Sequence, residues 1–349
     1  MAAIVATPVP LEQIGKLKGP QFGSKGVACL ATDGAHVYAG CRDHAIRVYD
    51  ARTHKLLYAL GAPAGPLDVA REGHVGCVTC LKLCGRRLFS GGGDRTLRAW
   101  DVKDRGPLRK VGEHGAIVTA LAVAGATLCS ADADGFVGLW DLETLEAVGE
   151  LEAKPSIYAL AVVGPVLFAA RGDGETVVAW DVSTKARADA PPYAAESLLA
   201  VGKKLYLGRD DGSISVWDAS RATPLPAAAL EHGHDGCVTA LASMAGAVVV
   251  SGGEDGAVVC WDAAARTRRW ATRPREGAVN GADAIVADDS GCLFSASPMA
   301  PHVQVWRAGV RSPPVPEPSS EPEPEDSLFA ELEVNRRKEL LARNRRGVS

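Results

Sequence analysis

The stretch GHVGCVTCLKLCGRRLFSGGGDRTLRAWD, residues 73–101, decides the fold, because close versions of it return twice in the chain. The second copy is EHGAIVTALAVAGATLCSADADGFVGLWD at 113–141, and the third is GHDGCVTALASMAGAVVVSGGEDGAVVCWD at 233–262. Each copy has a His at its start, an alternating apolar segment, a small-residue turn with Asp and a closing Trp-Asp. A repeat of this period indicates a stack of similar units, none of which buries its apolar face alone.

Within the first copy the pattern predicts a small antiparallel sheet. Residues 75–83 alternate between apolar and polar, which is the period of a strand with one buried face. Residues 87–90 and 96–100 predict two further strands, separated by a glycine-rich turn that permits a tight reversal. Residues 102–112 supply a fourth strand, so that one repeat makes one four-stranded unit.

The residues His74, Ser90, Asp94 and Trp100 resemble the repeat of the WD40 β-propeller family, with its Gly-His start and Trp-Asp end. The resemblance implies a buried hydrogen-bonded chain that runs from Trp to Ser, from Ser to His and from His to Asp. In all three copies Asp follows Ser by four residues and Trp follows Asp by six. This spacing predicts two further tetrads, which are His114, Ser130, Asp134 and Trp140, and His234, Ser251, Asp255 and Trp261.

Repeat-closing positions are found at 50, 101, 141, 181, 218, 262 and 307, which makes seven repeats. No fourth strand follows Trp306, so we expect residues 11–18 to pair at the outer edge of the last unit and close the ring. The predicted fold is therefore all-β: a seven-bladed WD40 β-propeller closed by an N-terminal strand. Its last repeat has prolines in the turn, and we expect no tetrad there.

Composition divides the chain into four segments. Residues 1–10 are expected to be a flexible N-terminus and 11–308 the propeller. Residues 309–326 are rich in Pro and Glu, which predicts a disordered linker. Residues 327–346 predict an amphipathic C-terminal helix, with acidic residues near its start and arginines near its end.

Four arginines fall in turns between the second and third predicted strands: Arg42, Arg95, Arg171 and Arg209. Such turns open on one face of a propeller, so the arginines are candidates for binding an acidic or phosphorylated peptide. The competing interpretation is that exposed turns accept arginine without any function.

The predicted tail helix offers a second candidate surface. Phe329 and Leu332 belong to its broken apolar stripe, which could dock on a partner or on the propeller. Arg336 and Arg337 belong to a basic run that is compatible with nuclear import or an RNA contact. The basic run has no aromatic residue for base stacking and the helix carries three Glu, so a protein partner is favoured.

Residues 39–52 resemble the segment by which some WD40 proteins dock on the adaptor of a cullin ubiquitin ligase. The resemblance rests on Tyr49-Asp50-x-Arg52, with Tyr in place of Trp, and it overlaps the repeat pattern itself. A substrate receptor of a ubiquitin ligase, which would depend on Arg52, and a component of an RNA-containing particle therefore stay as alternatives to a scaffold.

Composition favours a protein-binding role and gives no sign of catalysis. A net charge of −4 gives no reason to expect nucleic acid or an anionic membrane as partner of the propeller, and no apolar run is long enough to span a bilayer. The nine cysteines include one CxxC, Cys77 to Cys80, but no second ligand pair completes a zinc site. We find no phosphate loop, nucleophile elbow or metalloprotease motif. The prediction is a non-catalytic scaffold or adaptor with no cofactor and no metal, cytoplasmic, nuclear or both, with reduced thiols.

Overall fold

A computed structural model of the 349-residue chain describes 11–17, 26–61, 73–172, 174–220, 223–224, 230, 233–244, 248–272, 282–288, 291–297 and 302–308. These residues belong to one compact unit and contain 28 strands and no helix. The segments 1–10, 309–326 and 327–346 lie outside the described residues. No helix long and apolar enough to cross a bilayer occurs among the residues described.

The strands are numbered β1 to β28 in chain order. Strands β1 to β13 are Leu11–Leu17, Val27–Thr32, His36–Cys41, Ile46–Asp50, Leu56–Leu60, Val78–Cys84, Arg87–Gly92, Thr96–Asp101, Gly106–Glu113, Val118–Ala124, Thr127–Asp132, Phe136–Asp141 and Ala147–Glu152. Strands β14 to β28 are Ile157–Val163, Val166–Arg171, Val178–Asp181, Arg187–Ala188, Ser197–Val201, Lys204–Gly208, Ile214–Asp218, Thr223–Pro224, Val238–Met244, Val248–Gly253, Val258–Asp262, Thr267–Ala271, Ala284–Ala287, Cys292–Ala296 and Val303–Ala308.

The described strands form seven antiparallel sheets of four strands, and each sheet is one blade. Blades 1 to 6 take their strands in chain order, from β2-β3-β4-β5 in blade 1 to β22-β23-β24-β25 in blade 6. The first strands of neighbouring blades are in contact around the whole circle, including β26 of blade 7 with β2 of blade 1. The predicted seven-bladed propeller is confirmed.

Blade 7 is completed from the other end of the chain. Its order is β26-β27-β28-β1, and β1 pairs antiparallel with β28 from Leu11 opposite Ala308 to Leu17 opposite Val303. Leu17 is fully buried in the core between blades 7 and 1. The predicted closure by an N-terminal strand is confirmed, and it ties the two ends of the propeller together without any crosslink.

The hydrophobic core is divided among the interfaces between blades. Seven clusters of buried residues each join two neighbouring blades. Between blades 1 and 2, for example, Tyr38 and Ile46 pack with Leu88 and Trp100. Because a fully buried Leu, Ile or Phe contributes about 1.5–3 kcal/mol, each blade depends on its neighbours for stability.

Candidate interaction surface

The hydrogen-bonded tetrad predicted for blade 2 has the following geometry. Asp94 Oδ1 lies 2.9 Å from His74 Nδ1, His74 Nε2 lies 2.7 Å from Ser90 Oγ, and Trp100 Nε1 donates to Ser90 Oγ at 2.8 Å. A carboxylate can only accept, so it is Nδ1 of the ring that donates to Asp94. Burial opposes the ionisation of Asp94, but the hydrogen bond and charge of His74, together with hydrogen bonds from the Val75 N–H and the Thr96 hydroxyl, outweigh it and lower the pKa of the carboxyl well below its usual range.

Blade 6 repeats this arrangement with the residues expected for it. His234 Nδ1 lies 3.0 Å from Asp255 Oδ1, His234 Nε2 lies 2.7 Å from Ser251 Oγ, and Trp261 Nε1 donates to that oxygen at 2.9 Å. All of these groups connect strands of one blade, so their chemistry is structural.

In blade 3 the prediction that Asp134 supplies the carboxylate is wrong. His114 Nε2 lies 2.7 Å from Ser130 Oγ, and Trp140 Nε1 donates to it at 2.8 Å, but the carboxylate 3.0 Å from His114 Nδ1 belongs to Asp132. Asp134 is exposed, and its backbone N–H donates to Asp132 Oδ1 at 3.0 Å.

The exchange has a steric cause at the position two residues after the serine. In blade 2 that position is Gly92, where a Cβ would stand 2.5 Å from His74 Nδ1 and 2.6 Å from Asp94 Oδ1. Glycine therefore leaves the space beside the imidazole to the later aspartate. In blade 3 the same position is Asp132, whose own side chain fills that space. The constant Ser-to-Asp spacing led the sequence analysis to Asp134. The aspartate at 132, where blades 2 and 6 have glycine, was the signal that could have corrected it.

The closing tryptophans of two other blades differ in their hydrogen bonding. In blade 7 Trp306 Nε1 donates to Ser295 Oγ at 2.9 Å, so the tryptophan–serine pair remains where the sequence analysis expected no tetrad. In blade 5 Leu207 stands at the serine position, and Trp217 Nε1 is buried without a hydrogen-bond partner.

One face of the ring carries the start of every first strand and the turn between the second and third strands; we call it the upper face. The two features are joined by backbone hydrogen bonds such as Gly93 N to Cys77 O at 2.8 Å and Glu254 N to Cys237 O at 3.0 Å. Side-chain bonds such as Ser197 Oγ to Val238 O, at 2.7 Å, link the starts of neighbouring first strands. These residues therefore lie on one surface.

The four predicted arginines lie on the upper face but differ in their surroundings. Arg42 and Arg95 are exposed, and among the described residues neither makes an ion pair. Arg171 pairs with Glu175 at 2.8 Å and also donates to two backbone carbonyls. Arg209 lies 3.6 Å from Asp211 Oδ2. Two of the four guanidinium groups are thus already engaged by this chain.

Carboxylates gather on the upper face of blades 5 to 7. Burial raises the pKa of Glu196, and the charges of Asp210 and Glu254 add to the effect. Burial and Glu254 likewise raise the pKa of Asp283, against a hydrogen bond from Ser297. This half of the face is acidic and does not extend a cationic ring.

Blades 2 to 4 expose large apolar side chains on the same face. Val75 is 71% exposed, Ile117 45% and Tyr158 48%, and they stand at the starts of three neighbouring first strands. The sequence analysis missed this set. The available signal was Ile117 at a repeat position that holds Cys77 in blade 2 and Cys237 in blade 6.

Arg52 lies on the opposite side of the ring, in the turn between β4 and β5, and its side chain is exposed. Asp50 Oδ1 accepts the N–H groups of Arg52 and Thr53 at 3.1 and 2.6 Å, so the aspartate of Tyr49-Asp50 closes this turn. The remaining predicted residues, Phe329, Leu332, Arg336 and Arg337, lie outside the described residues.

All nine cysteines are free thiols in the structure. Six are buried, and Cys77, Cys84 and Cys237 are half-buried. Burial, with the nearby carboxylates, raises the pKa of Cys237 to about 12. Among the described residues no group of three or more His, Cys, Asp and Glu side chains is placed to hold a metal ion.

Comparison with known proteins identifies the repeat. The family described as "WD domain, G-beta repeat" matches residues 11–50, 67–101 and 228–262. The solved structure entitled "Structure of U3-55K" superposes with a TM-score of 0.68 at 18% identity, covering 85% of this chain and 98% of that one. At this identity the likeness establishes the fold.

Curated relatives match smaller parts of the chain. Small ribosomal subunit protein RACK1y of Oryza sativa subsp. japonica is 26% identical over 181 residues, 47% of this chain and 53% of that protein. Human angio-associated migratory cell protein is 26% identical over 209 residues, 56% of this chain and 48% of that protein. The chain thus spans about half the length of these relatives.

Proposed function

We propose that this chain, a WD40-repeat β-propeller, is a non-catalytic scaffold or adaptor that binds other proteins within a multiprotein complex. The observation that carries the proposal is the exposure of Val75, Ile117 and Tyr158, each at or just before the start of the first strand of blades 2, 3 and 4. Large apolar groups exposed on a rigid scaffold are typical of protein-binding surfaces.

The charges around this set define the partner more closely. Arg95 donates to Gly115 O at 3.3 Å, which places its guanidinium between the upper loops of blades 2 and 3. Gly115 precedes the exposed Ile117 by two residues. We propose that an extended partner segment lays apolar side chains on blades 2 to 4 and an acidic or phosphorylated group near Arg42 and Arg95. Arg171 and Arg209 are left out of this site because Glu175 and Asp211 already engage them.

The test is partner capture with the tagged full chain from a native extract. Val75→Asp, Ile117→Asp and Tyr158→Asp, combined in one variant, are expected to remove most captured proteins while the melting temperature stays unchanged, because the three side chains are exposed. The matched control is Leu108→Asp with Val148→Asp, which changes two equally exposed apolar residues on fourth strands. An unchanged set of partners in the upper-face variant would refute the proposed surface.

The charged half of the proposal has its own variant. Arg42→Glu with Arg95→Glu is expected to weaken capture of the acidic partner and to make the remaining binding insensitive to phosphatase treatment. Capture that is unaffected by this double reversal would exclude an anionic group at these two arginines.

A substrate receptor for a ubiquitin ligase is the second candidate. It is supported by the exposed Arg52 and by a relative named putative E3 ubiquitin-protein ligase LIN-1, from Lotus japonicus, 28% identical over 162 residues and 11% of that protein. Arg52→Ala should then abolish capture of a cullin adaptor. No adaptor in the unmodified capture would end this reading.

A component of an RNA-containing particle is the third candidate, and the name of the rice ribosomal relative supports it. It predicts salt-sensitive RNA binding that disappears when 327–349 are removed. Binding to RNA that survives this truncation would place the contact elsewhere. We propose a cytoplasmic or nuclear location for all three functions.

A further inference from the structure

A cleft of about 310 Å³ opens between blades 2 and 3. Its lining includes His114, Gly115 and Asp132, so it begins at the upper face, beside the Gly115 carbonyl to which Arg95 donates. Its floor is Trp140, and Phe136, Glu113 and Glu150 stand around it. Trp140 is half-buried, whereas Trp100 and Trp261 at the equivalent positions of blades 2 and 6 are buried. Trp140 shares this partial exposure with Trp306 of blade 7, but Trp140 is the one that lines this cleft.

The cleft exists because two small residues stand where other blades have larger ones. The residue paired with the tryptophan across the third and fourth strands is Ala147 in blade 3, against Pro107 in blade 2 and Arg187 in blade 4. Gly138, also in blade 3, has no side chain beside the ring, and a Cβ there would stand 2.9 Å from Trp140 Nε1. The indole thus lies against the backbone of Gly138, and among the described residues no side chain takes the place that Arg187 takes over Trp180.

Blade 4 shows which group fits an equivalent cleft. The guanidinium carbon of Arg187 lies 4.5 Å from the centre of the Trp180 ring, and Trp180 is only 3% exposed. The same guanidinium reaches back to blade 3, where its Nη2 donates to Glu152 O at 3.1 Å. An arginine stacked on the tryptophan and bonded to the preceding blade therefore fills this position when the chain supplies one.

The strand register carries this arrangement over to the cleft. Glu152 pairs with Phe136, the first residue of the third strand of blade 3, as Glu113 pairs with Thr96 in blade 2. Glu113 therefore occupies, next to the cleft over Trp140, the position that Glu152 occupies next to Trp180 and Arg187. A guanidinium over Trp140 would lie within reach of the Glu113 carbonyl.

The carboxylates that line the cleft belong to Glu113, Glu150 and Asp132, of which Asp132 pairs with His114 at 3.0 Å. Lys185 Nζ stands at the edge of the cleft, where it donates to Val148 O at 2.9 Å. Among the described residues Glu150 makes no ion pair, whereas Glu113 pairs with Lys110. Lys154 stands 5.1 Å from the centre of the Phe136 ring and 2.8 Å from Glu152, so that ring already has its cation and Trp140 is the free aromatic surface.

We propose that this cleft binds an arginine side chain of a partner protein, with the guanidinium stacked on Trp140 and hydrogen-bonded to Glu113 and Glu150. Planar stacking and several directed donors distinguish arginine from lysine at such a site. The inference rests on the proposed function, because it presumes a protein partner, and it adds a second contact on the side of the ring.

The binding test uses the full chain labelled with 5-fluorotryptophan, followed by fluorine NMR, with the Trp140 signal assigned from Trp140→Phe. The probe is acetyl-Gly-Arg-Gly-amide. The same peptide with citrulline in place of arginine is the uncharged control, and the same peptide with lysine tests whether the site prefers a guanidinium group. We expect a saturable shift of the Trp140 signal with the arginine probe and binding about ten-fold weaker with citrulline. No saturable shift, equal binding of citrulline, or tighter binding of the lysine peptide would overturn the proposal.

A second variant supplies the ligand from within the chain. Ala147→Arg copies the arrangement of Arg187, so it should shift the Trp140 signal, raise the melting temperature and abolish probe binding, whereas Ala147→Gln should leave the probe bound. Glu150→Lys changes an exposed residue and should weaken probe binding about ten-fold, with Glu143→Lys as a control outside the cleft. Unchanged probe affinity in both Ala147→Arg and Glu150→Lys would also overturn the proposal. The probe titration needs no natural partner, so a failed titration would overturn the arginine site and leave the upper-face proposal untouched. Conversely, failure of the partner-capture experiment would not affect the interpretation of the titration.

Discussion

Replacing Asp132 by alanine should destabilise blade 3, and replacing Asp134 should not. Asp132 Oδ2 lies 3.0 Å from His114 Nδ1, and its Oδ1 accepts the backbone N–H groups of Asp134 and Phe136 at 3.0 and 2.9 Å. A hydrogen bond to a charged group contributes about 1.5–3 kcal/mol, and an orphaned buried donor costs about 1–3 kcal/mol. Since the two turn amides can recover water, we expect Asp132→Ala to cost about 3 kcal/mol, or about 5 °C in melting temperature for a propeller of this size.

The matched variant is Asp134→Ala, which removes an exposed carboxylate two residues away. Surface changes of this kind usually stay within about 0.5 kcal/mol. Differential scanning calorimetry of the two purified full-length variants, with urea unfolding at one temperature, gives both values on the same scale.

Asp132→Gly tests the steric explanation. Glycine at 132 recreates the arrangement of Gly92 and Asp94, so the Asp134 carboxylate becomes free to reach His114. Despite the entropic cost of glycine, about 0.5–1 kcal/mol, we expect Asp132→Gly to be less damaging than Asp132→Ala. This advantage should vanish when Asp134→Ala is added. Equal or larger destabilisation by Asp134→Ala alone, or a glycine variant that does not depend on Asp134, would refute the reasoning.

Three further perturbations follow from the geometry. Trp100→Phe should cost about 1 kcal/mol more than Trp217→Phe in urea unfolding, because only Trp100 has a serine acceptor; equal costs would contradict this. Deleting 11–17 should lower the free energy of unfolding by at least about 4 kcal/mol by calorimetry, because this strand contributes the buried Leu17 and pairs with the edge of blade 7. Deleting 1–10 is the control, and an unchanged melting temperature on deleting 11–17 would disprove closure. The Asp94 pKa lies below its usual 3.8, so its stabilisation is present above about pH 4 and is lost as pH falls towards the folded-state pKa. Asp94→Asn should therefore reduce the loss of stability at acid pH, measured by urea unfolding at several pH values. An unchanged acid dependence would exclude Asp94 as its source.

The binding surfaces show where local pattern stops being informative. A turn containing arginine can be recognised from glycines and spacing, but the partner of that arginine cannot. Glu175 follows Arg171 by four residues, yet the lysine carbonyl that Arg171 also binds comes from residue 154 at the start of the blade. The guanidinium groups that make no ion pair among the described residues, Arg42 and Arg95, could be separated from those of Arg171 and Arg209 only in three dimensions.

The sequence by itself determined the repeat, the number of blades and the closure by residues 11–17, because each depends on apolar alternation, turn chemistry and a missing fourth strand. The tertiary structure decided what lies between repeats: the carboxylate that reaches His114, the exposed set Val75, Ile117 and Tyr158, and the uncovered face of Trp140. The physical reason is that strand periodicity is a local property of the chain. The space beside a given side chain is set by residues from neighbouring strands and blades, such as Ala147 opposite Trp140, and these neighbours are known only when the strands have been placed in three dimensions.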